Sequence, residues 1–128
     1  MKERREKEFE LLKQKYGDLE YGEGLDWAIF KAFPLPPGWV KPQTGLLVLV
    51  PPGYPMTPPD NFYVDPGLKL SSGNPPQNYS EPVNHQGKSW GQFSFHLEQG
   101  WLAAADIFSG HNLLTFMLAV EKRLEEAN

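Results

Sequence analysis

The sequence predicts a single α+β domain, in which one antiparallel sheet packs against helices. Apolar residues recur with helical spacing near the start of the chain and again near its end, whereas the segments between them alternate or form short apolar runs. The chain has 128 residues and is 40% hydrophobic, which suits one core and is too little for two. We therefore expect residues 1–128 to form one domain around a meander of about four strands.

Composition excludes several classes of function. The net charge of -4 argues against a broad nucleic-acid surface, which needs clustered and unbalanced Lys and Arg. With no cysteine, the chain has no disulfide, thiolate metal site or cysteine nucleophile. The three histidines follow no recognised metal-ligand spacing, and no motif predicts a cofactor. No apolar run reaches membrane-spanning length and the N-terminus is charged, so we expect a soluble, cytoplasmic protein without membrane contact.

Residues 1–17 predict an N-terminal amphipathic helix. Phe9, Leu12 and Tyr16 form a narrow apolar stripe among alternating charges, and Gly17 stands where a left-handed cap would end the helix. The charged face is a solvated surface or a docking site for a partner.

Three strands are expected before the middle of the chain. From Leu25 to Phe33 apolar residues lie on both alternating faces, with Phe33 on the side of Ile29. Residues 44–50 are a continuous apolar run, typical of a central strand. Strand character resumes at residues 61–64, after a proline-rich turn that bars a helix.

The second half of the chain predicts a long connection followed by a packing helix. Residues 65–88 are rich in turn-forming residues and predict an irregular loop. A helical stripe of leucines and Met117 predicts a C-terminal helix over 109–126, with Ser109 as its N-cap.

Between the loop and this helix, the stretch from Trp90 to His96 places a hydroxyl and an imidazole two positions apart. In extended backbone, Ser94 and His96 would share one face while Phe93 and Phe95 anchor the other. That arrangement suits a nucleophile with a base beside it, and equally an ordinary strand with two polar residues facing water.

The central segment resembles the ubiquitin-conjugating enzyme superfamily. There an apolar strand leads into a Tyr-Pro-x-x-Pro-Pro turn and a further strand, which matches residues 45–64 with Tyr54, Pro55, Pro58 and Pro59 as the motif. The resemblance covers most of the chain in the order of its elements. It implies the fold of that superfamily, and it is greatest to divergent bacterial families that sit in operons with an activating enzyme, a ubiquitin-like protein and a metalloprotease.

The superfamily's catalytic segment carries Gly, any residue, an aliphatic residue and Cys, with a Trp before the next helix. Here Gly91-Gln92-Phe93-Ser94 matches loosely, with serine at the cysteine position, and Trp101 matches the later tryptophan. The His-Pro-Asn motif that precedes the cysteine is incomplete, because no Pro-Asn follows His85. Ser94 is therefore the candidate nucleophile. Serine is also a common engineered replacement for a catalytic cysteine, and in that case the position carries over while the serine chemistry does not.

A serine nucleophile needs a general base, because its hydroxyl does not ionise near neutral pH. His96 is the nearest histidine in sequence, with His85 and His111 as alternatives, and each is equally well explained as a structural imidazole. Asp106 would orient a histidine or, as the better explanation, cap the last helix.

Three further residues have supporting roles in this interpretation. Asn84 would contact the oxyanion in place of the missing motif Asn. Trp90 and Trp101 flank the site and would shield an acyl ester from water, although ordinary core packing explains them slightly better.

The resemblance implies a conjugating enzyme that takes the C-terminal acyl group of a ubiquitin-like protein from an activating enzyme, on Ser94 as an oxyester, and passes it to a protein target. The activating enzyme would dock through the N-terminal helix. One alternative is a catalytically inactive variant that binds the ubiquitin-like protein or the activating enzyme as a scaffold. Another is an unrelated α+β interaction domain.

Overall fold

A computed structural model of the chain describes residues 2–97 and 99–128. It contains two helices and six strands in the order α1 (Lys2–Tyr16), β1 (Leu19–Tyr21), β2 (Trp27–Pro34), β3 (Gln43–Leu49), β4 (Phe62–Val64), β5 (Tyr79–His85), β6 (Lys88–Phe93) and α2 (Leu113–Glu125). The strands form one sheet in the order β1-β2-β3-β4-β6-β5, with every neighbouring pair antiparallel. The α+β prediction is confirmed, although the sheet has six described strands where about four were expected.

Both helices cover the same face of the sheet, and the main core lies between them. The stripe of α1 buries Phe9 and Leu12 to 2% exposure, and that of α2 buries Phe116, Val120 and Leu124 completely. Residues of β2, β3, β4 and β6 complete this core. Leu118, expected in the α2 stripe, points away and is exposed.

The opposite face of the sheet carries a smaller apolar cluster. Leu47, Tyr63 and Trp90 are buried there, with half-buried Trp27 and Ile29 beside them. Successive residues of one strand therefore go to different cores, as a period of two requires.

A bulge in β2 overturns one detail of the predicted alternation. The register against β3 shifts between Phe30 and Phe33, so Phe33 packs with Phe30 in the main core and not with Ile29.

The predicted 65–88 loop is wrong over its second half. Residues 79–85 form β5, an edge strand that pairs with β6, so only residues 65–78 and the turn at 86–87 lie outside the strands. Pro82 and the polar residues around it resemble turn chemistry, but an edge strand tolerates them because half of its backbone groups need no partner. The irregular part is fastened to the domain by buried Leu68 and by a bridge between Trp39 and Leu70.

The C-terminal end of α1 is capped as predicted, whereas the N-terminal end of α2 is capped by a different residue. Gly17 has a φ of 77° and donates its N–H to Lys13 O at 2.9 Å, which confirms the left-handed cap of α1. Helix α2 begins later than expected, because its N-cap is Asn112 and not Ser109. Asn112 and Thr115 form a reciprocal capping box. Within the described residues, neither helix is long and apolar enough to cross a membrane.

Candidate functional site

The segment that follows β6 keeps the alternation of the strand, as the sequence predicts. Phe93 and Phe95 both pack on Phe62, with ring centroids 4.8 Å and 5.3 Å away. Ser94 and His96 point the other way and are exposed. Two aromatic anchors thus hold a hydroxyl and an imidazole at the surface on one side of the chain.

Backbone hydrogen bonds fix this segment on both sides. Ser94 donates its N–H to Asn78 O at 2.8 Å, just before β5. On the β4 side, Asn61 donates its N–H to Phe95 O at 2.8 Å and accepts the Phe95 N–H on Oδ1 at 3.1 Å. Asn61 reaches this position with a φ of 65°, a left-handed conformation that Asn tolerates better than most residues. The backbone around Ser94 is therefore held by two neighbouring segments.

The side chain that partners His96 is Asp60, which was not predicted from the sequence. His96 Nδ1 hydrogen-bonds to Asp60 Oδ1, and both side chains are 56% exposed. Asp60 lies 36 positions away in sequence and is brought here by the pairing of β4 with β6. Among the described residues, no hydrogen bond joins Ser94 Oγ to an imidazole.

His85 and Asn84 are not brought to Ser94. They pair with Lys88 and Ser89 at the turn end of the β5–β6 hairpin. Lys88 precedes Ser94 by six residues, roughly 20 Å along an extended strand. The His85 ring packs on Tyr63 at 4.7 Å. His85 is therefore too far from Ser94 to act as its base, and Asn84 is too far away to contact an oxyanion there.

Asp106 neither orients a histidine nor caps α2. Its carboxylate accepts the Phe108 N–H and the Ser109 hydroxyl, both at 3.0 Å, and so closes the turn at 106–109. These two hydrogen bonds, the backbone one first, lower the pKa of Asp106. His111, the third histidine, uses Nδ1 to accept the Leu102 N–H at 2.9 Å and stacks on Trp101. Both residues serve the loop that leads into α2.

The two tryptophans have structural positions. Trp90 is fully buried in the cluster on the outer face and donates Nε1–H to His85 O at 3.0 Å. Trp101 is 8% exposed and donates Nε1–H to Pro55 O at 2.8 Å. The packing explanation holds for both, and Trp101 also ties its loop to the proline turn.

The proline turn is anchored by a buried carboxylate. The Tyr54 hydroxyl donates to Glu8 Oε1, which also accepts the Leu113 N–H at 2.6 Å, and Arg4 Nε pairs with Glu8 Oε2 at 2.7 Å. Burial, followed by the hydrogen bond to Glu8, raises the pKa of Tyr54 and keeps it a donor. Pro55, Pro58 and Pro59 are buried around it. One carboxylate thus joins α1, the turn and the start of α2.

Gly91, three residues before Ser94, has a steric role. A Cβ on Gly91 would lie 2.0 Å from the hydroxyl of Tyr79, which crosses over it. That hydroxyl donates to Glu81 at 2.5 Å, and Glu81 also accepts the Gly67 N–H at 2.8 Å. Burial first, then the bond to Glu81, raises the pKa of Tyr79. Gly91 is needed because Tyr79 fastens the loop before β5 across it.

No group of three or more His, Asp or Glu side chains in residues 2–97 and 99–128 is arranged to hold a metal ion.

An N-terminal helix, an antiparallel meander, a Tyr-Pro-x-x-Pro-Pro turn and an exposed serine seven residues before a loop tryptophan are the features of an E2-like domain. A family model described as "Prokaryotic E2 family E" matches residues 6–127, and the chain belongs to this family. Neither the curated proteins nor the solved structures contain a match. Family membership indicates a role in ubiquitin-like conjugation.

Proposed function

We propose that this protein is a conjugating enzyme in which Ser94 carries the C-terminal acyl group of a ubiquitin-like protein as an oxyester. The observation that supports this best is the exposed Ser94 side chain at the position where related enzymes keep their cysteine, on a backbone fixed by Asn78 and Asn61. The proposed sequence of transfer is from an activating enzyme to Ser94 and from Ser94 to an amine on a protein target.

His96 is the proposed base for this reaction. During loading, Ser94 Oγ attacks the carbonyl carbon of the activating enzyme's thioester while His96 takes the hydroxyl proton, and the thiolate leaves. During transfer, the target amine attacks the oxyester carbonyl, His96 takes the proton that the amine loses, and it passes this proton to Ser94 Oγ as the C–O bond breaks and the amide forms. No other histidine is proposed for this step.

The proposed docking surface for the activating enzyme is the exposed apolar rim beside α1. An open cavity of about 510 Å³ lies between α1, the proline turn and the 103–108 loop. Met56 is 82% exposed on one side of it and Phe108 is 73% exposed on the other, while Arg4 and Lys7 contribute from α1. Exposed apolar side chains with a charged rim are typical of protein interfaces. Because activation consumes ATP, we place the reaction in the cytoplasm.

Adduct formation tests the proposal. The protein is incubated with ATP and with the activating enzyme and ubiquitin-like protein of the same organism, then analysed by denaturing gel and intact mass. We expect a covalent adduct that survives reducing agent, since an oxyester is not cleaved by thiols, and none with Ser94→Ala. If no adduct forms, or if Ser94→Ala forms it equally well, Ser94 is not the acceptor.

The inactive-scaffold alternative is favoured by two features, the replacement of the expected cysteine and the incomplete His-Pro-Asn motif. It predicts that the ubiquitin-like protein or the activating enzyme binds wild type and Ser94→Ala with the same affinity, with no adduct in either case. Titration calorimetry alongside the gel assay separates the two.

A further inference from the structure

We propose that Asp60 is a positioning residue that holds His96 for proton transfer at Ser94. The inference rests on the proposed function, since it assigns a role within the same reaction. Its basis is the contact between Asp60 Oδ1 and His96 Nδ1.

The pairing of β4 with β6 brings Asp60 and His96 together. Antiparallel pairing places Phe62 opposite Phe93, and beyond these residues the two chains stay together through the paired hydrogen bonds of Asn61 with Phe95. Asp60 precedes Asn61 and His96 follows Phe95, so the two residues lie opposite each other just beyond that pair. Exposed ion pairs contribute little to stability, partly because ordering two long side chains costs entropy. That cost is smaller here, because both backbones are fixed and the histidine side chain is short.

The contact determines which imidazole nitrogen can act as a base. A neutral imidazole has one N–H, and a carboxylate at Nδ1 holds the proton there as a hydrogen-bond donor. The lone pair is then on Nε2. An aspartate at the same position on the ring selects the tautomer and stabilises the imidazolium in serine hydrolases. His96 lies two residues from Ser94 on the same exposed side of the segment, so Nε2 is the nitrogen that remains to accept the hydroxyl proton.

Each proton is accounted for in this scheme. The Ser94 hydroxyl proton moves to Nε2 as Oγ bonds to the acyl carbon, and the departing thiolate takes that proton from Nε2. Asp60 takes up no proton in this scheme, because its role is to orient the ring.

Two measurements on one variant test the inference. Asp60→Asn keeps the size of the side chain but can offer an N–H to Nδ1, which would move the His96 proton to Nε2. Imidazole ¹⁵N NMR should find the neutral Nδ1–H form of His96 in the wild type and the Nε2–H form in the variant. The initial rate of adduct formation should fall about ten- to a hundredfold, as expected for loss of an oriented base. Asp18→Asn, which removes an exposed carboxylate after α1, is the matched control and should keep the wild-type rate.

The outcomes distinguish this inference from the proposed function. An adduct that depends on Ser94 but forms equally fast in Asp60→Asn overturns the role of Asp60 and leaves that of Ser94 intact. A slower rate with the wild-type tautomer also overturns it, because Asp60 would then act only through the fold. If the wild type forms no adduct, the proposed function fails and the inference fails with it.

Discussion

Replacing Glu8 by alanine should destabilise the domain more than any surface change, because this carboxylate joins three elements. It is fully buried, and it is bonded to Arg4, to the Tyr54 hydroxyl and to the Leu113 N–H. Its removal would leave a phenol and a helix N–H without their acceptor in the core. Arg4, whose side chain is 11% exposed, would keep only its bonds to the carbonyls of Ala104 and His111.

The expected loss follows from these contacts. Breaking a buried pair by removing one partner costs about 3–5 kcal/mol, because the remaining charge is uncompensated. Tyr54→Phe removes one hydrogen bond from the same carboxylate and should cost about 1–2 kcal/mol. Because both changes act on one network, their combined effect should be smaller than the sum of the two by at least about 0.5 kcal/mol.

Equilibrium unfolding in urea, followed by tryptophan fluorescence, measures these free energies. Glu10→Ala is the matched control, since Glu10 lies on the exposed side of the same helix and its loss should change stability by no more than about 0.5 kcal/mol. A loss below about 1 kcal/mol for Glu8→Ala, or strict additivity with Tyr54→Phe, would refute the network as described.

Three further predictions concern the segment around Ser94 and the sheet. Gly91→Ala should cost about 1–3 kcal/mol in urea unfolding, because its methyl group would displace Tyr79. Burial raises the pKa of Asp65, but the hydrogen bond from Lys41 Nζ at 2.8 Å and that from a backbone N–H outweigh it, so the pKa lies below its ordinary value. Asp65→Asn should therefore lose about 0.5–1 kcal/mol at pH 7, a difference that shrinks as the pH falls below the ordinary aspartate pKa of 3.8 and is lost only at the still lower pH where the folded carboxylate is protonated. Ser94→Cys should form an adduct that reducing agent cleaves on a gel, because a thiolate at the same position makes a thioester.

Each of these predictions has its own control or contrary outcome. Gly24→Ala should leave stability nearly unchanged, since the nearest atom to an added Cβ is 3.6 Å away, and equal losses at Gly24 and Gly91 would show that the Tyr79 contact is not the cause. For Asp65, a difference from Asn that grows towards acid pH contradicts the assigned sign. A thiol-resistant adduct on the Cys variant would mean that the acyl group sits on another residue.

Local patterns were sufficient for the elements that alternate or repeat strictly. Phe93 and Phe95 on one side with Ser94 and His96 on the other follow from a period of two, and Gly17 follows from the need for a left-handed cap. The proline turn around Tyr54 was evident because prolines exclude a helix at that place.

The missed features depend on contacts between distant segments. Asp60 follows Pro59 and looks like a turn residue, and only the β4–β6 register reveals its contact with His96. Strand β5 was missed because Pro82 and its polar neighbours are tolerated only where the sheet ends. The face of the sheet on which Phe33 lies depends on a bulge in β2, and the sequence of that strand contains no signal for the bulge. His85 is close to Ser94 in sequence, but it lies at the turn end of the β5–β6 hairpin, away from Ser94.

The most direct test of the central claim is to locate the acyl group in the adduct by peptide mass spectrometry. After reaction with the activating enzyme, ATP and the ubiquitin-like protein, we predict that the C-terminal remnant is attached to Ser94, that it resists reducing agent and that mild base removes it. A remnant on a lysine, stable to base, or an unmodified Ser94 peptide in a confirmed adduct would contradict the assignment of Ser94 as the nucleophile.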